Sequence, residues 1–483
     1  MAPSLDPRTP LHFIGVGGIG MSALAAILAA RGFRISGSDP RQSPVLERLR
    51  SEGIQIFRRQ EASTIAAVRA AGHGEPAVVI SSAVPPSNPE LAEARRLGLP
   101  ILHRSDVLAA LINQQPSIAV AGSHGKTTTS TLIASLLEAT GGDPTAVIGG
   151  IVPAFASNGR NGNGPLLVAE ADESDGSLVK FAPRLAVLTN VELDHTDHYP
   201  DLAALVDTLR RFASGSDGVL ANRDCPVLRD HFEAADWWSN SSPEGVAFAA
   251  IAREESGDGT LADFYENGRL VGRFQLPLPG RHNLSNATGA LAACRLQGVP
   301  FADLARAVAG LHSPGRRFDC RGLWRNRVVV DDYAHHPSEV KATLAMARLM
   351  VTSGRSPLPL VPRRVVAVFQ PHRYSRTAQF LAEFAAALQE SDAVLLAPLY
   401  AAGEAPIAGI SSRSLAEEIS RLAPALPVES TDSLDQLARR VSETSRAGDL
   451  VLVMGAGDVN GLWSRLGQLP DGAEISASLL QAA

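Results

Sequence analysis

The chain has 483 residues, too many for one hydrophobic core and enough for about three domains. Apolar residues make up 45% and charged residues 19%, which excludes wholesale disorder. The net charge of −6 argues against binding to nucleic acid or to an anionic membrane surface, because such proteins carry excess basic residues.

No apolar run is long enough to cross a membrane, and residues 1–10 lack the profile of a signal peptide. Cys225, Cys294 and Cys320 are too scattered for a disulfide framework or a zinc site. We therefore expect a cytoplasmic protein without a membrane-spanning helix.

Short apolar runs alternate with helical patterns along the chain, an order typical of α/β domains with parallel sheets. The pattern restarts twice, which predicts three such units with limits 1–115, 116–320 and 321–483. Residues 239–259 are predicted as surface loops or an edge hairpin. The predicted strands are Leu11–Val16, Phe33–Ser36, Ala77–Ser81, Leu99–Leu102, Ser117–Ala121, Leu166–Ala169, Leu185–Leu188, Arg327–Asp331, Arg364–Phe369, Ala393–Ala397 and Leu450–Met454. The predicted helices are Met21–Ala30, Leu91–Gly98, Thr127–Thr140, Leu284–Leu296, Glu339–Met350, Ala378–Glu390, Leu415–Ile419 and Leu434–Ser442.

A glycine-rich turn follows the first predicted strand. Gly15, Gly17, Gly18 and Gly20 permit a tight turn that brings backbone amides close to a diphosphate at a helix N-terminus. Asp39 ends the next strand, where an acid often meets a ribose hydroxyl. The pattern predicts a diphosphate site; read alone it suggests NAD, but it does not identify the diphosphate.

Residues 122–129 read GSHGKTTT and lie between a predicted strand and a predicted helix. Successive amides there can hold phosphates, Lys126 can neutralise them, and the Thr127 hydroxyl can reach Mg²⁺. Val120 stands where the usual phosphate loop has glycine, so the loop is a shortened variant. Lys126 is also one of only three lysines, with Lys180 and Lys341, in a chain otherwise rich in arginine. The segment therefore predicts triphosphate binding.

Acidic and histidine side chains follow two further strands of the same unit. Glu170 comes directly after one strand, and His195 follows the next. A carboxylate and an imidazole beside a phosphate loop are placed to hold Mg²⁺. For Asp172, Glu173 and Asp175 we expect a solvated acidic loop.

Two asparagines and an arginine follow in the middle unit. Asn283 and Asn286 are one helical turn apart and can read an adenine edge, or Asn283 can cap the helix. Arg317 lies near the end of this unit and could contact phosphate or ribose.

Polar clusters at 331–337 and 370–376 follow neighbouring strands of the third unit and so line one crevice. Arg373 and Arg376 could hold a carboxylate bidentately, the alternative being a stacked surface cluster.

In this order, the motifs resemble those of the Mur ligases of peptidoglycan synthesis, and most closely the branch that adds L-alanine to UDP-N-acetylmuramate. Sister ligases carry a carbamoylated lysine downstream of the metal histidine; this chain has no lysine between Lys180 and Lys341, as in the L-alanine branch. The resemblance covers residues 12 to 463 and is highly specific as a set. The matching segments are GVGGIGMSALA, SGSD, SSAVPPSNPE, AGSHGKTTT, EADESDGS, TNVELDH, PGRHNLSNA, GRRFD, DDYAHHPSEV, PHRYSRT, AGEAPI and GAGDVNGLW.

The resemblance implies a Rossmann-like UDP-sugar domain at 1–115, a phosphate-loop ATP domain at 116–320, and a Rossmann-like domain at 321–483 that closes over ATP and the amino acid. It implies UDP-sugar contacts from Gly15, Gly17, Gly18, Gly20, Asp39 and Ser82. It implies ATP contacts from Gly122, Ser123, His124, Gly125, Lys126, Thr127, Thr128, Asn283, Asn286, Arg317 and Asp332. It implies ligands of two Mg²⁺ ions in Thr127, Glu170 and His195, and an L-alanine site in Tyr333, His335, Arg373 and Arg376.

The implied reaction is an ATP-dependent ligation in cytoplasmic peptidoglycan precursor synthesis. The muramate carboxylate attacks the γ-phosphate of ATP, and the amine of L-alanine then displaces phosphate from the acyl phosphate. Lys126, Glu170, His195 and His335 are the candidate catalytic residues, and His335 or a neighbouring residue would take the amine proton.

Three alternatives stay open at this point. They are a ligase of the same family that adds a whole tripeptide, a nicotinamide-dependent oxidoreductase that uses Gly15–Gly20, and a non-catalytic nucleotide-binding partner of cell-wall enzymes. We expect no nucleic-acid or membrane partner, and the sequence leaves the oligomeric state open.

Overall fold

The computed structural model describes residues 5–196, 198–469 and 475–476. Within them the chain forms two compact units, each assembled from several segments. The first unit consists of Met1–Ala250, Phe264–Gly272 and Asn286–Ala307; the second consists of Ile251–Asp263, Arg273–Ser285 and Val308–Ala483.

The first sheet has five parallel strands in the order β3-β2-β1-β4-β5. The chain runs outward from β1 to β3 and then returns to β4 on the other side of β1, so the strand order reverses there. In such sheets, ligands bind at the carboxyl ends of the strands next to this reversal. The strands are β1 Leu11–Ile14, β2 Ile35–Ser38, β3 Gln55–Phe57, β4 Ala77–Ile80 and β5 Ile101–His103. The helices are α1 Ile19–Ala30, α2 Pro44–Ser51, α3 Ala62–Ala70, α4 Pro89–Arg96 and α5 Arg104–Gln114.

The second sheet has ten strands in the order β15-β14-β13-β12-β11-β10-β6-β9-β7-β8. Its middle is parallel, and β8 pairs antiparallel to β7 at one edge. The strands are β6 Ser117–Ala121, β7 Thr145–Val152, β8 Ser157–Arg160, β9 Leu167–Glu170, β10 Leu185–Leu188, β11 Gly218–Asn222, β12 Asp236–Ser239, β13 Phe248–Ser256, β14 Gly259–Glu266 and β15 Arg269–Leu276. The helices are α6 Lys126–Ala139, α7 Leu202–Ser214, α8 Pro226–His231, α9 Arg281–Leu296 and α10 Phe301–Val308.

The segment 239–259 corrects one of the two expectations for it. It contains the whole of a nine-residue strand, β13, so surface loops alone are wrong. Only two residues, Gly257 and Asp258, separate β13 from β14, which is the connection of a hairpin. These strands reach the edge of the sheet at β15, and their small and acidic residues suit a half-exposed position.

The third sheet has the order β20-β19-β18-β21-β17-β16-β22 and is parallel from β20 to β17. The predicted helix 378–390 is two helices that meet at Phe380, and the helix predicted at 415–419 begins earlier because Ser411 caps it. The strands are β16 Asp319–Trp324, β17 Arg327–Asp332, β18 Arg364–Phe369, β19 Ala393–Leu396, β20 Val428–Ser430, β21 Asp449–Met454 and β22 Ile475–Ser476. The helices are α11 Pro337–Ser353, α12 Tyr374–Gln379, α13 Leu381–Leu388, α14 Ser412–Leu422, α15 Leu434–Thr444 and α16 Leu462–Gly467.

Helices bury both faces of the third sheet, which explains why its central strands are continuous apolar runs. Val328 and Val330 of β17 face one core, whereas Val329 faces the other. Parallel strands covered on both sides have this composition. The predicted α/β class with parallel-rich sheets is confirmed. The predicted limits at 115/116 and 320/321 stay a prediction, and the second of them lies inside β16.

Candidate active site

The glycine turn between β1 and α1 is closed by its own hydrogen bonds. The amides of Gly15 and Val16 donate to the Ser38 carbonyl at 2.8 and 3.1 Å, and the Gly18 amide donates to the Gly15 carbonyl. The Gly17 amide donates to Asp39 Oδ2 at 3.1 Å, and a Cβ on Gly17 would lie only 2.8 Å from that oxygen. The Asp39 carboxylate, which is buried, therefore holds the turn in shape.

The phosphate loop between β6 and α6 has two left-handed glycines at which a side chain would collide. A Cβ on Gly122 (φ 126°) would clash with Thr189 Oγ1, and one on Gly125 (φ 81°) would lie 2.5 Å from Asn286 Oδ1. Gly125 directly precedes α6, so the loop amides and the helix N-terminus lie at one place. This is the geometry of a phosphate-binding loop.

The residues after β10 fix the loop from the other side. The His124 amide donates to Asn190 Oδ1 at 2.9 Å, and Thr189 Oγ1 donates to the His124 carbonyl at 2.7 Å. The Ser123 hydroxyl donates to the Glu192 carbonyl and accepts from the Glu192 amide, both at 2.8 Å. The loop is thus held rigidly before any ligand binds.

Lys126 forms a buried ion pair with Glu173. Its Nζ lies 2.8 Å from Glu173 Oε2 and donates to the carbonyls of Gly122 and Ser123 at 2.7 and 3.1 Å. Burial alone would lower the pKa of Lys126, but the charges of Glu173 and Asp172 raise it well above its usual value. Burial raises the pKa of Glu173 although Lys126 acts in the opposite direction. The lysine is therefore a fixed positive charge at the loop.

This pair corrects the expectation of a solvated acidic loop after β9. Glu173 is 1% exposed, with Oε1 3.7 Å from His195 Nε2, and only Asp172 and Asp175 are partly exposed. The sequence of this acidic run does not show which of its side chains is buried. One signal was available, since a buried lysine requires a counter-charge.

Oxygen ligands suitable for Mg²⁺ lie beside the loop. Thr127 Oγ1 donates to Glu170 Oε1 at 3.0 Å, and Glu170 Oε2 accepts from the Gly149 amide at 2.8 Å. Ligand atoms of Asp172, Glu173 and His195 lie within 4.8 Å of one another. Hydroxyl and carboxylate oxygens with one imidazole fit a magnesium site.

The two asparagines predicted to read adenine are used differently. Asn286 is in the first unit, where its Oδ1 accepts from Thr129 Oγ1 at 3.3 Å beside the phosphate loop. Asn283 is in the second unit, where its Nδ2 donates to the Pro279 carbonyl at 2.8 Å. Since α9 begins at Arg281, Asn283 lies inside the helix and the capping alternative is wrong.

At the end of β17, Asp332 organises a turn in the second unit. Its carboxylate, which is buried, accepts from the amides of Phe318 and Ala334 at 2.7 and 2.8 Å. Burial raises the pKa of Asp332 to about 6, against the lowering effect of Arg317. The Arg317 guanidinium lies 5.3 Å from the Tyr333 ring centre and 3.8 Å from Glu339.

A cluster of histidine, tyrosine and arginine joins the ends of β17, β18 and β19. The ring of His335 lies 5.2 Å from that of Tyr333 and 6.1 Å from that of His372. Arg376, which is buried, lies 3.4 Å from His372 Nδ1. Arg373 (φ 71°) lies 3.6 Å from Glu404. Sequence reasoning missed His372 and Glu404, although His372 directly precedes Arg373.

Ser82, predicted to contact the UDP sugar, lies in a different polar group of the first unit. Its hydroxyl lies 3.1 Å from His103 Nε2 and 3.1 Å from Asp175 Oδ2. The group therefore links the ends of β4 and β5 to the acidic loop after β9.

Comparison with known proteins gives a consistent result over the whole chain. Residues 10–116 match the Mur ligase family, catalytic domain, residues 120–294 the Mur ligase middle domain, and residues 316–457 the Mur ligase, glutamate ligase domain. The UDP-N-acetylmuramate–L-alanine ligase of Synechococcus sp. (strain CC9605) is 63% identical over 96% of this chain and 99% of its own. The chain belongs to the Mur ligase family.

Other Mur ligases agree with this assignment. The UDP-N-acetylmuramate–L-alanine ligase of Prochlorococcus marinus (strain MIT 9303) is 59% identical over 99% of this chain and 98% of its own. The crystal structure of the UDP-N-acetylmuramate–alanine ligase of Thermotoga maritima has a TM-score of 0.77 at 26% identity, covering 95% of this chain and 99% of that one. A murein peptide ligase of Psychrobacter arcticus, at 23% identity, shares the fold with a TM-score of 0.68 over 96% and 99% of the two chains. Among the described residues of this Mur ligase, no helix is long and apolar enough to span a bilayer.

Proposed function

We propose that the chain is an ATP-dependent ligase that joins L-alanine to the carboxylate of UDP-N-acetylmuramate. The observation that carries the proposal is the full-length similarity to ligases named for that reaction. The phosphate loop, its buried lysine and the acids and histidine beside it supply the chemistry that the reaction needs.

The reaction has two steps. A muramate carboxylate oxygen bonds to the γ-phosphorus as the bond to ADP breaks, giving an acyl phosphate. The L-alanine nitrogen then attacks the acyl carbon, loses a proton and expels phosphate. Both steps require charge neutralisation and alignment more than covalent catalysis by the protein.

We assign ATP binding to the phosphate loop and to four further residues. Lys126 would give up part of its contact with Glu173 and bind phosphate oxygens. The amides at the start of α6 would bind the other phosphate oxygens. The assigned residues are Gly122, Ser123, His124, Gly125, Lys126, Thr127, Thr128, Asn283, Asn286, Arg317 and Asp332.

We assign Thr127, Glu170 and His195 to the two Mg²⁺ ions expected for this reaction. The Thr127 hydroxyl and a Glu170 oxygen are 3.0 Å apart, which supports the binding of both to the same Mg²⁺ ion. When bound, Mg²⁺ neutralises and orients phosphate oxygens.

The other two substrates are assigned to separate groups of residues. The UDP sugar would lie at the glycine turn, with Gly15, Gly17, Gly18, Gly20, Asp39 and Ser82. L-Alanine would contact Tyr333 and His335, with its carboxylate on Arg373 and Arg376. His335 Nδ1 lies 2.9 Å from the Tyr333 carbonyl oxygen. When Nδ1 carries the ring proton and donates to that oxygen, Nε2 is unprotonated and can accept the amine proton.

The product would be an early precursor of peptidoglycan, which links the enzyme to cell-wall growth, cell shape and division. A cytoplasmic location, expected from the scattered cysteines, stays a prediction.

The test measures phosphate release from ATP and Mg²⁺ with UDP-N-acetylmuramate, adding L-alanine or the tripeptide in parallel. We expect release that depends on both the UDP sugar and L-alanine, with a product heavier by one alanine residue. Release with the tripeptide alone would place the chain with the ligases of the same family that add a whole tripeptide. Absence of release with either acceptor would contradict the proposal.

A further inference from the structure

Tyr199 is a buried tyrosine outside the residues assigned so far. It follows His195 by one short turn and is 2% exposed. Its Oη donates to the Glu173 carbonyl at 2.5 Å. Burial raises the pKa of Tyr199 to about 12, against the lowering effect of a hydrogen bond from Thr208, so the hydroxyl keeps its proton and donates it. A buried hydroxyl requires such an acceptor, because an unpaired one loses its hydration without compensation.

The same carbonyl closes the turn that carries the buried acid. The Gly176 amide also donates to the Glu173 carbonyl, at 2.9 Å, which closes a tight turn over residues 173–176. Gly176 has a φ of 66°, and a Cβ there would lie 2.7 Å from His198 Nε2. The turn after β9 therefore packs closely against His198 and Tyr199.

The backbone of Tyr199 holds the other segment of the assigned metal site. Its amide donates to the His195 carbonyl at 2.9 Å, and the His198 amide donates to the same oxygen at 2.8 Å. His195 has a φ of 54°, a left-handed conformation that a residue other than glycine keeps only where its surroundings fix it. Tyr199 thus joins the turn that carries His195 to the turn that carries Glu173.

The side chains of the two joined turns meet at the phosphate loop. Glu173 Oε1 lies 3.7 Å from His195 Nε2 and accepts from Lys126 Nζ at 2.9 Å. Glu173 is one of several acids in its loop, and the loop has to present this one to the lysine. A hydrogen bond to the Glu173 carbonyl fixes the backbone at that residue and so directs its side chain.

We propose that Tyr199 is a positioning residue, whose hydroxyl fixes the loop after β9 so that Glu173 faces Lys126 and His195. The inference rests on the proposed function, which places ATP and Mg²⁺ at these two side chains. The hydroxyl and the amide of Tyr199 both donate to backbone carbonyls, so Tyr199 would act by holding the two segments in place. Residues that orient the groups around a metal affect its binding although they do not touch it.

The kinetic test compares Tyr199→Phe with wild type and with Tyr265→Phe, a matched control at a half-buried tyrosine on β14. Phenylalanine keeps the ring and removes only the hydroxyl. We expect Tyr199→Phe to lower kcat for phosphate release about 10-fold and to raise the Mg²⁺ concentration for half-maximal release by a similar factor. Tyr265→Phe should match wild type in both.

Two measurements without turnover show whether Tyr199 acts on the loop. In the ligand-free protein, we expect amides of residues 172–176 to exchange with deuterium faster in Tyr199→Phe than in wild type, with unchanged exchange in the third sheet. In calorimetry, Mg²⁺ should improve the affinity for ADP about 10-fold less in Tyr199→Phe than in wild type. A merely structural role would lower the melting temperature and leave this effect of Mg²⁺ unchanged.

A double-mutant cycle identifies the group through which Tyr199 acts. If that group is Glu173, Tyr199→Phe should have little further effect on kcat in a Glu173→Gln background. Independent effects in the cycle, or a lower melting temperature with wild-type kinetics and a wild-type Mg²⁺ titration, would each overturn the inference. If Tyr199→Phe does not fold, Gly176→Ala disturbs the same turn from the side of His198 and should show the same pattern.

Failure of the proposed function would look different. In that case wild type would release no phosphate with UDP-N-acetylmuramate and L-alanine, whereas hydrogen exchange would still report the effect of Tyr199 on the loop. If wild type turns over and Tyr199→Phe has the same kcat and Mg²⁺ titration, the role of Tyr199 alone is wrong.

Discussion

Lys126 is the residue on which ATP chemistry depends most directly in our proposal. It is one of three lysines in the chain and the one whose charge is buried against Glu173 at the phosphate loop. Arginine at this place would put a broad fork where a compact charge contacts two carbonyls and a carboxylate.

We expect Lys126→Ala to lower ATP-dependent phosphate release by at least about 100-fold, because a preorganised positive charge at the phosphates is lost. Affinity for the UDP sugar should not change, since the glycine turn belongs to another sheet. Release assays and calorimetry on the same protein would show both effects, with Lys341→Ala, an exposed lysine, as control.

The same substitution should also lower stability, since it leaves the Glu173 carboxylate buried without its partner. Lys126→Ala combined with Glu173→Gln should regain part of the melting temperature and none of the activity. Near wild-type release by Lys126→Ala would contradict the assignment.

At the scale of secondary structure elements, strand β7 limits the space around Glu170. A Cβ on Gly149 would lie 2.7 Å from Glu170 Oε2, and the Gly149 amide donates to that same oxygen. We expect Gly149→Ala to displace the carboxylate and to raise the Mg²⁺ concentration for half-maximal activity about 10-fold. Magnesium titration of phosphate release checks this, with Gly215→Ala as control because its nearest neighbour would be at an ordinary 3.4 Å. An unchanged titration would mean that Glu170 does not determine metal affinity.

Strand β8 packs directly on helix α1. A Cβ on Gly159 would lie 2.6 Å from Ala23 Cα, so an added methyl group would force two backbones apart. We expect Gly159→Ala to cost about 1–3 kcal/mol of stability. Urea unfolding of this variant and of Gly215→Ala gives the comparison. Equal urea midpoints would show that β8 and α1 accommodate the methyl group without a loss of stability.

At the scale of the whole molecule, the half-buried His282 makes stability depend on pH. Burial, with the charge of Arg317, lowers the pKa of His282 to about 4. The unfolded chain would titrate near its ordinary value of 6.5. Below pH 6.5 the unfolded state therefore binds the additional proton, and stability is lost as the pH falls towards 4.

Replacing His282 isolates this contribution from other groups that titrate in the same range. From pH 7.5 to 5.5, wild type should lose roughly 1 kcal/mol more stability than His282→Gln does. Urea unfolding of the full chain at both pH values measures the difference, with the exposed His231→Gln as control. If the free energies of unfolding of wild type and His282→Gln change equally with pH, His282 has the same pKa in the folded and unfolded states.

The sequence predicted the class of fold and the places of the motifs because both depend on local pattern. Alternating apolar runs and helical periods indicate α/β sheets, and polar residues directly after a strand lie at its carboxyl end. Gly15 directly follows β1, Glu170 ends β9, and Lys126 and His195 lie within seven residues of the ends of β6 and β10.

The tertiary structure decided which side chains meet. Glu173 faces Lys126, 47 positions away in the chain, while its neighbours Asp172 and Asp175 face Arg104. Asn286 bonds Thr129 beside the phosphate loop, whereas Asn283, one helical turn earlier on α9, bonds the Pro279 carbonyl. The direction of a side chain in a loop depends on the local backbone conformation and on partners far away in the sequence. The spacing of residues within the loop does not contain this information.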